Sequence, residues 1–277
     1  TNNSTTMTDS SFQGRTITRS GSMMKHDSAL AKFGATSLAF NGTDDYLTVA
    51  SHADFDWGTD GDFTIDLWAS SNTVASNRNW VSRKNTNTNN SFWFFRIENA
   101  TKVTFANAPI EAQNQYDYIV SADESFTHYA VVRHNQVTTV YVNGQAVGNF
   151  NDSNNYTTNA GDIYIGSRVW GNSVTQFHHG YMDEIRISNV ARWTSNFPVP
   201  ASPYTTKTVD IASSLNPATN DLYDLGSSNK RWGHIYTTDL HLANERGDWT
   251  VIEEEDFLTL SNNKTGKRYK ILMEEIR

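Results

Sequence analysis

The chain contains no cysteine, which excludes a disulfide framework, a thiolate nucleophile and any zinc site built on sulfur. Stability must come from packing, association or an oxygen-liganded ion. Charge is scarce as well: charged residues make up 19% of the 277, and 22 Lys and Arg against 30 Asp and Glu leave a formal net charge of −8. That sign is wrong for neutralising phosphates along a duplex, so no nucleic-acid partner is expected. No run approaches the ~18 apolar residues of a membrane-spanning helix, so no membrane partner is expected either. The Asn/Ser/Thr-rich amino end carries no apolar signal core. There is no Gly-rich phosphate loop and no Gly-x-Ser-x-Gly elbow, which removes nucleotide and serine-nucleophile chemistry. Amphipathic stretches of helical period are missing beyond about three turns.

What the chain does have is aromatic residues and alternation. Eight Trp, 12 Tyr and 14 Phe supply enough large apolar area for a core. They sit in short period-two runs, such as 37–40, 63–68, 92–97, 129–133, 138–142, 163–165 and 182–187, which is the pattern of half-buried strands. Asn41-Gly42, Asp60-Gly61, Asn143-Gly144 and Gly171-Asn172 punctuate them as turns. Residues 140–147 read as a hairpin about a type I′ Asn143-Gly144 turn, since that pair accepts positive φ at both central positions. The reading is all-β, a two-sheet sandwich or jelly roll.

Phe33-Gly34-Ala35-Thr36-Ser37-Leu38-Ala39-Phe40-Asn41-Gly42, Asp45-Tyr46-Leu47 and Gly61-Asp62-Phe63-Thr64-Ile65-Asp66-Leu67-Trp68 are followed in order by His128 to Arg133, Val142-Asn143-Gly144, Ile163 to Gly166, and Gly180 to Ser188. Over about residues 22–205 this order resembles a concanavalin-A-like, laminin-G-like lectin domain. The resemblance implies a jelly roll that frequently carries a structural calcium and a glycan site on its concave face or edge loops. Residues 1–21 are then a connecting segment. Residues 206–277 form a second unit, in which Tyr223 to Tyr236 and Asp239 to Thr250 are similar to C-terminal segments of phage tail fibres and other virion structural proteins. This second likeness implies a virion appendage that attaches to host-surface carbohydrate and contacts other virion proteins. The tail's Trp232, Tyr236, Leu240, Leu242, Trp249, Phe257, Leu258 and Leu260 are too apolar for solvent in so short a segment, so a homotrimer is expected.

Candidate chemistry follows from residue type. Retaining glycanases of this jelly-roll kind need two carboxyls about 5 to 5.5 Å apart, carried on a Glu-x-Asp-x-x-Glu strand. That run is absent, and Asp183-Glu184 is an adjacent pair expected to point to opposite faces, so no catalytic residue is assigned. For calcium, Asn41, Asp44 and Asp45 offer oxygens in one turn, and Asp183 could join them from a neighbouring strand. The alternative is ordinary turn residues, with Asp183 paired to Arg186 or Arg192. For glycan, exposed aromatic faces with polar neighbours are needed. The loop candidates are Trp170, Tyr156, Tyr116 and Tyr118, with the His178-His179 pair facing solvent or sugar. Trp68 and Trp93 lie in strand runs and read as core, as do Trp57 and Trp80. In the tail, Glu253 to Asp256 and Lys264, Lys267, Arg268 and Lys270 read either as cross-strand pairs or as a charged edge that discourages aggregation.

Overall fold

The computed structural model describes residues 2–11, 13–73, 77–88, 91–107, 115–118, 120, 125–157, 160–204 and 238–271. The chain divides into two compact units, Thr1–Val209 and Asp210–Arg277. Apart from a 3₁₀ turn at Ala53–Phe55, the described regular structure is strand.

The first unit is a sandwich of two seven-stranded antiparallel sheets. One sheet runs β1 (Ile17–Ser20), β4 (Tyr46–Val49), β13 (Ala160–Ile165), β6 (Arg78–Asn85), β7 (Ser91–Asn99), β8 (Lys102–Asn107) and β9 (Gln115–Asp117). The other runs β12 (Gln145–Asn151), β11 (Val137–Val142), β10 (Thr127–His134), β5 (Phe63–Ser71), β16 (His179–Ser188), β3 (Ser37–Asn41) and β2 (Lys25–Asp27). Residues 17–20, assigned from sequence to a connecting segment, are thus an edge strand that pairs with β4. This pairing covers the edge of β4 and extends the sandwich upstream of residue 22.

Between the sheets lies one aromatic core. Phe63, Ile65 and Leu67 of β5 meet Trp93 and Phe95 of β7, and Trp57 stacks on Phe63 at 4.2 Å. Trp80 lies 4.0 Å from Tyr129. Trp57, Trp68, Trp80 and Trp93 are all buried, as their strand or packing positions led us to expect. Asn143 and Gly144 both take positive φ between β11 and β12, so the Asn-Gly hairpin forms as read. A side chain at Gly144 would meet the Phe197 carbonyl, which is how closely the segment after β16 passes.

The alternation, however, suggested half-buried strands, and the structure corrects this. All nine residues of β5 are buried, including Thr64, Asp66 and Ser70 on its outer face. The cause is a second layer of cover. Residues 189–204 cross the outer face of the β5 sheet, where Phe197 packs with Ala130, Val132 and Tyr141 and stacks on Trp193 at 3.8 Å. A short hairpin of β14 (Arg168–Trp170) and β15 (Ser173–Thr175) is anchored to the outward side chains of the β7 sheet. Ser91 Oγ accepts from the Val169 N–H at 3.0 Å, Ser82 Oγ donates to the Ser167 carbonyl at 2.9 Å, and Asn79 and Arg96 both donate to Gln176 Oε1.

The second unit is a four-stranded antiparallel sheet in the order β17 (Asp239–Ala243), β18 (Asp248–Glu253), β19 (Leu258–Asn262) and β20 (Arg268–Lys270). Register places Leu240, Val251, Leu260 and Tyr269 in one row and Leu242 beside Trp249 in the next, so these side chains share a face. No apolar residue of this described sheet is buried, and Leu240 and Leu242 are 45% and 52% exposed. Arg268 of β20 donates to Glu254, in the link between β18 and β19, at 2.8 Å. Trp232, Tyr236 and the Tyr223 to Tyr236 motif lie outside the described residues.

Candidate functional site

Trp170 is where sequence and structure agree on an exposed aromatic. Gly171 and Asn172, both at positive φ, form a two-residue turn that joins Trp170 to its partner Ser173. The ring therefore projects at the tip of the β14–β15 hairpin and is 49% exposed, more than any other described tryptophan. Its support is rigid. The buried Arg168 guanidinium lies 4.7 Å from the Trp170 ring and 4.1 Å from that of Phe94, so it is held between the two aromatics. This leaves the rest of the indole facing solvent on a fixed platform, with Asn172 and Ser173 as adjacent polar neighbours.

The other glycan candidates move inward. Tyr156 is 0% exposed, its hydroxyl donates to Asp152 Oδ2 at 2.7 Å, and Phe63 and Arg133 pack on its ring. It belongs to the core, so the expectation of a loop aromatic is corrected. Tyr116 sits on β9 opposite Val103 and presses on Gly148 of β12, closing the side of the sandwich where the two sheet edges meet. Burial pushes its hydroxyl up to about 12. Tyr118 is also half-buried and packs against the core. His178 is fully buried, its backbone N–H donates to the Gly166 carbonyl, and its Nε2–H donates to the Ser70 carbonyl at 3.1 Å. Burial pushes its pKa down to about 3, so the ring is neutral and turned away from any ligand. His179 is half-buried, and burial with the nearby Arg78 lowers its pKa too.

The proposed calcium ligands do not gather into one site. Asn41 Oδ1 caps its own turn by accepting from the N–H groups of Thr43, Asp44 and Asp45. Asp45 accepts from the N–H groups of Met23, Met24 and Asn41. Its burial raises its pKa. Asp44 takes the Asn41 amide at 2.5 Å and Ser22, and these hydrogen bonds hold its carboxyl below the usual range. Asn41 is paired with His179 across β3 and β16, which puts Asp183 four residues further along, roughly 13 Å away at the antiparallel rise. Asp183 there accepts from the N–H groups of Lys32, Phe33 and Glu184, and pairs with neither Arg186 nor Arg192. Calcium needs six to eight oxygens facing one point. Here they face the chain's own N–H groups, and among the described residues no cluster of three or more acidic or histidine side chains is placed to hold a metal.

Residues 41–195 match the model of the concanavalin A-like lectin/glucanases superfamily, more than half of the chain. The chain belongs to that superfamily. Among solved structures, similarity extends to domain 4 of an extracellular arabinanase from Geobacillus stearothermophilus in complex with arabinotriose, at 17% identity and TM-score 0.47, covering 64% of this chain and 83% of that one. It extends also to the binding domain of botulinum neurotoxin serotype D/C, at 12% identity and TM-score 0.49, covering 69% of this chain and 48% of that one. No curated protein sequence matches.

The superfamily includes glucanases, so the carboxylate pair Asp183 and Glu184 matters. A bulge interrupts β16 after Asp183, with Glu184 at φ 51°. Asp183 is engaged as described, and Glu184 accepts from the Tyr204 N–H at 2.5 Å. Burial raises both pKa values, and both carboxylates serve the backbone.

Sequence reasoning missed a group on the outer face of the β5 sheet. Asp66 is buried and takes Arg186 in a two-pronged pair at 3.0 and 2.8 Å, while His128 shares a hydrogen bond with the Tyr204 hydroxyl at 3.1 Å. Burial alone would raise the Asp66 pKa, but the hydrogen bonds from His128 and Arg186 outweigh it and hold the carboxyl low. The only local signal was a charged residue at alternate positions in an apolar strand, Asp66 in β5 and Arg186 in β16.

Proposed function

We propose that the chain is a virion structural protein, a phage tail fibre or similar appendage. On this reading its lectin-like sandwich binds host-surface glycan at the Trp170 hairpin, and its C-terminal sheet joins copies of the chain into a homotrimer. The observation that carries the binding reading is the Trp170 ring itself: an exposed indole, backed by a buried arginine and flanked by Asn172 and Ser173. Sugar rings stack their C–H faces on such platforms and take hydrogen bonds from neighbouring amides and hydroxyls. The virion assignment rests on the likeness of residues 223–250 to tail-fibre termini, and the trimer on the exposed apolar face of β17 to β20. Weak sites held three to an assembly gain avidity without new contacts. Catalysis is not part of the proposal, because the paired acids of β16 are engaged by backbone.

One observation favours a rival, a purely structural virion protein: among the described residues, part of each outer sheet face is covered by the chain itself, by residues 189–204 on the β5 sheet and by the β14–β15 hairpin on the β7 sheet. Glycan arrays probed with the full chain and with Trp170→Ala separate the two. Binding to a defined set of glycans that Trp170→Ala abolishes, with the melting temperature unchanged, supports attachment. An array with no signal, or one indifferent to Trp170, leaves the scaffold reading.

A further inference from the structure

The segment that covers the outer face of the β5 sheet does more than seal it. Between β16 and residues 190–204 lies a cleft of about 410 Å³, lined by Arg186, Arg192, Trp193, Ser202 and Tyr204 among others. The cleft is shallow and largely open to solvent. Its two guanidiniums differ in state. Arg186 is consumed by Asp66 and lies 3.7 Å from the centre of the Tyr204 ring, so it is fixed. Arg192 is exposed and has no carboxylate at ion-pair distance among the described residues. Its Nε donates to Ser188 Oγ at 2.7 Å and its backbone N–H to Thr64 Oγ1 at 3.0 Å, which aims the side chain while leaving its terminal nitrogens for another partner. Desolvation against the cleft wall and then the repulsion of Arg186 lower its pKa, and Asp66 offsets part of that repulsion. The walls are ring faces: Trp193, held by Phe197 on its other side, and Tyr204.

We infer that this cleft binds a carboxylate-bearing saccharide residue, a hexuronic or sialic type of sugar, whose carboxylate takes the terminal nitrogens of Arg192 and whose ring lies against Trp193. A planar carboxylate fits the fork of a guanidinium, and an apolar sugar face fits an indole. A free inorganic anion would use the charge and ignore the wall. The inference rests on the lectin-like reading for the class of ring and on the cleft for the charge, and it concerns a place distinct from the Trp170 hairpin.

The test is ligand-observed saturation-transfer NMR on the full chain with methyl glucuronide, methyl glucoside and acetate as probes. The expected result is glucuronide binding in the ~1 mM range, with glucoside and acetate each weaker by about tenfold or more. Arg192→Gln should weaken glucuronide about tenfold and Arg192→Lys by less, since lysine keeps the charge and loses the fork. Trp170→Ala should leave it unchanged. No transfer to glucuronide overturns the inference, as does equal binding of glucoside, equal binding of acetate, or indifference to Arg192→Gln. Because Trp170→Ala is read in the same series, loss of array binding with glucuronide binding intact would separate the failure of one site from that of the other.

Discussion

His178 offers a quantitative check on the packing of the first unit. It follows the β14–β15 hairpin, is fully buried against Phe40, and gives its Nε2–H to the Ser70 carbonyl of β5. Burial lowers its pKa to about 3, while in the unfolded chain histidine titrates near ~6.5. Below that value the unfolded chain takes up a proton that the folded chain refuses, so this contribution to stability is complete above pH ~6.5 and lost as pH falls toward 3. Between pH 7 and pH 5 the loss comes to about 2 kcal/mol. His179 shifts in the same direction, and the raised carboxyls of Asp45, Asp183 and Glu184 act in the opposite one, so a single pH curve does not isolate His178. His178→Gln does: glutamine keeps an N–H donor near the Ser70 carbonyl and removes the titration. Urea unfolding of both chains from pH 7 to pH 5 should show the wild type losing about 2 kcal/mol more than the variant. Parallel curves would refute the argument, for they would mean that the ring is protonated as readily inside as outside.

Three further outcomes are expected. Asp66→Asn should lower unfolding free energy by about 3 kcal/mol at neutral pH, because it strands Arg186 on a covered face. A loss under 1 kcal/mol in denaturant melts would show that Arg186 finds water there. Trp170→Ala should change stability by less than ~0.5 kcal/mol, as a surface substitution does, while removing glycan-array binding; a large drop in melting temperature would make Trp170 a packing residue. Leu240→Glu with Leu242→Glu, placed on the exposed face of β17, should convert a species sedimenting at three times the 31.2 kDa chain mass into a monomer. A wild-type chain that is already monomeric at micromolar concentration would defeat the trimer.

The two-sheet architecture was legible because its signals are local. Period-two runs mark strands, and Asn143-Gly144 marks a hairpin, whatever the rest of the chain does. The candidate site was legible only at Trp170, where a Gly-Asn turn beside an aromatic carries the exposure in the sequence itself. Tyr156 shows why the rest was not. Its Asn154-Asn155 context reads as a wet loop, but the acceptor that draws its hydroxyl inward is Asp152, and the rings that bury it come from residues about 60 to 100 positions upstream. Asp183 failed for a different reason: adjacency of two strands was correctly read, but distance along them depends on register, and a four-residue offset separates it from the Asn41 turn. The cover on the outer faces left no periodic trace, since a polar residue such as Asp66 alternates in β5 just as a solvent-facing one would.

That cover has a consequence for where ligands can be held. On the β7 sheet, the outward side chains Asn79, Ser82, Ser91 and Arg96 are engaged by the β14–β15 hairpin and the residues flanking it. On the β5 sheet, Thr64 is engaged by Val190 and Arg192 of the covering segment, and Asp66 by Arg186 of the neighbouring strand β16. Polar groups already bonded in this way would each have to give up a partner to take a ligand, at a cost of about 1–3 kcal/mol for a buried donor or acceptor left unpaired. Those positions on the outer faces are therefore poor places for a sugar, and the covering elements are better ones. Trp170 and Arg192 both lie on such elements and are both exposed: Trp170 rests on Arg168, which packs on Phe94 of β7, and Arg192 is tied by its backbone to Thr64 of β5. On the proposed attachment reading, recognition placed on the cover could vary through single substitutions at 170–173 or 192 without disturbing the aromatic core between the sheets, which would separate fold from binding.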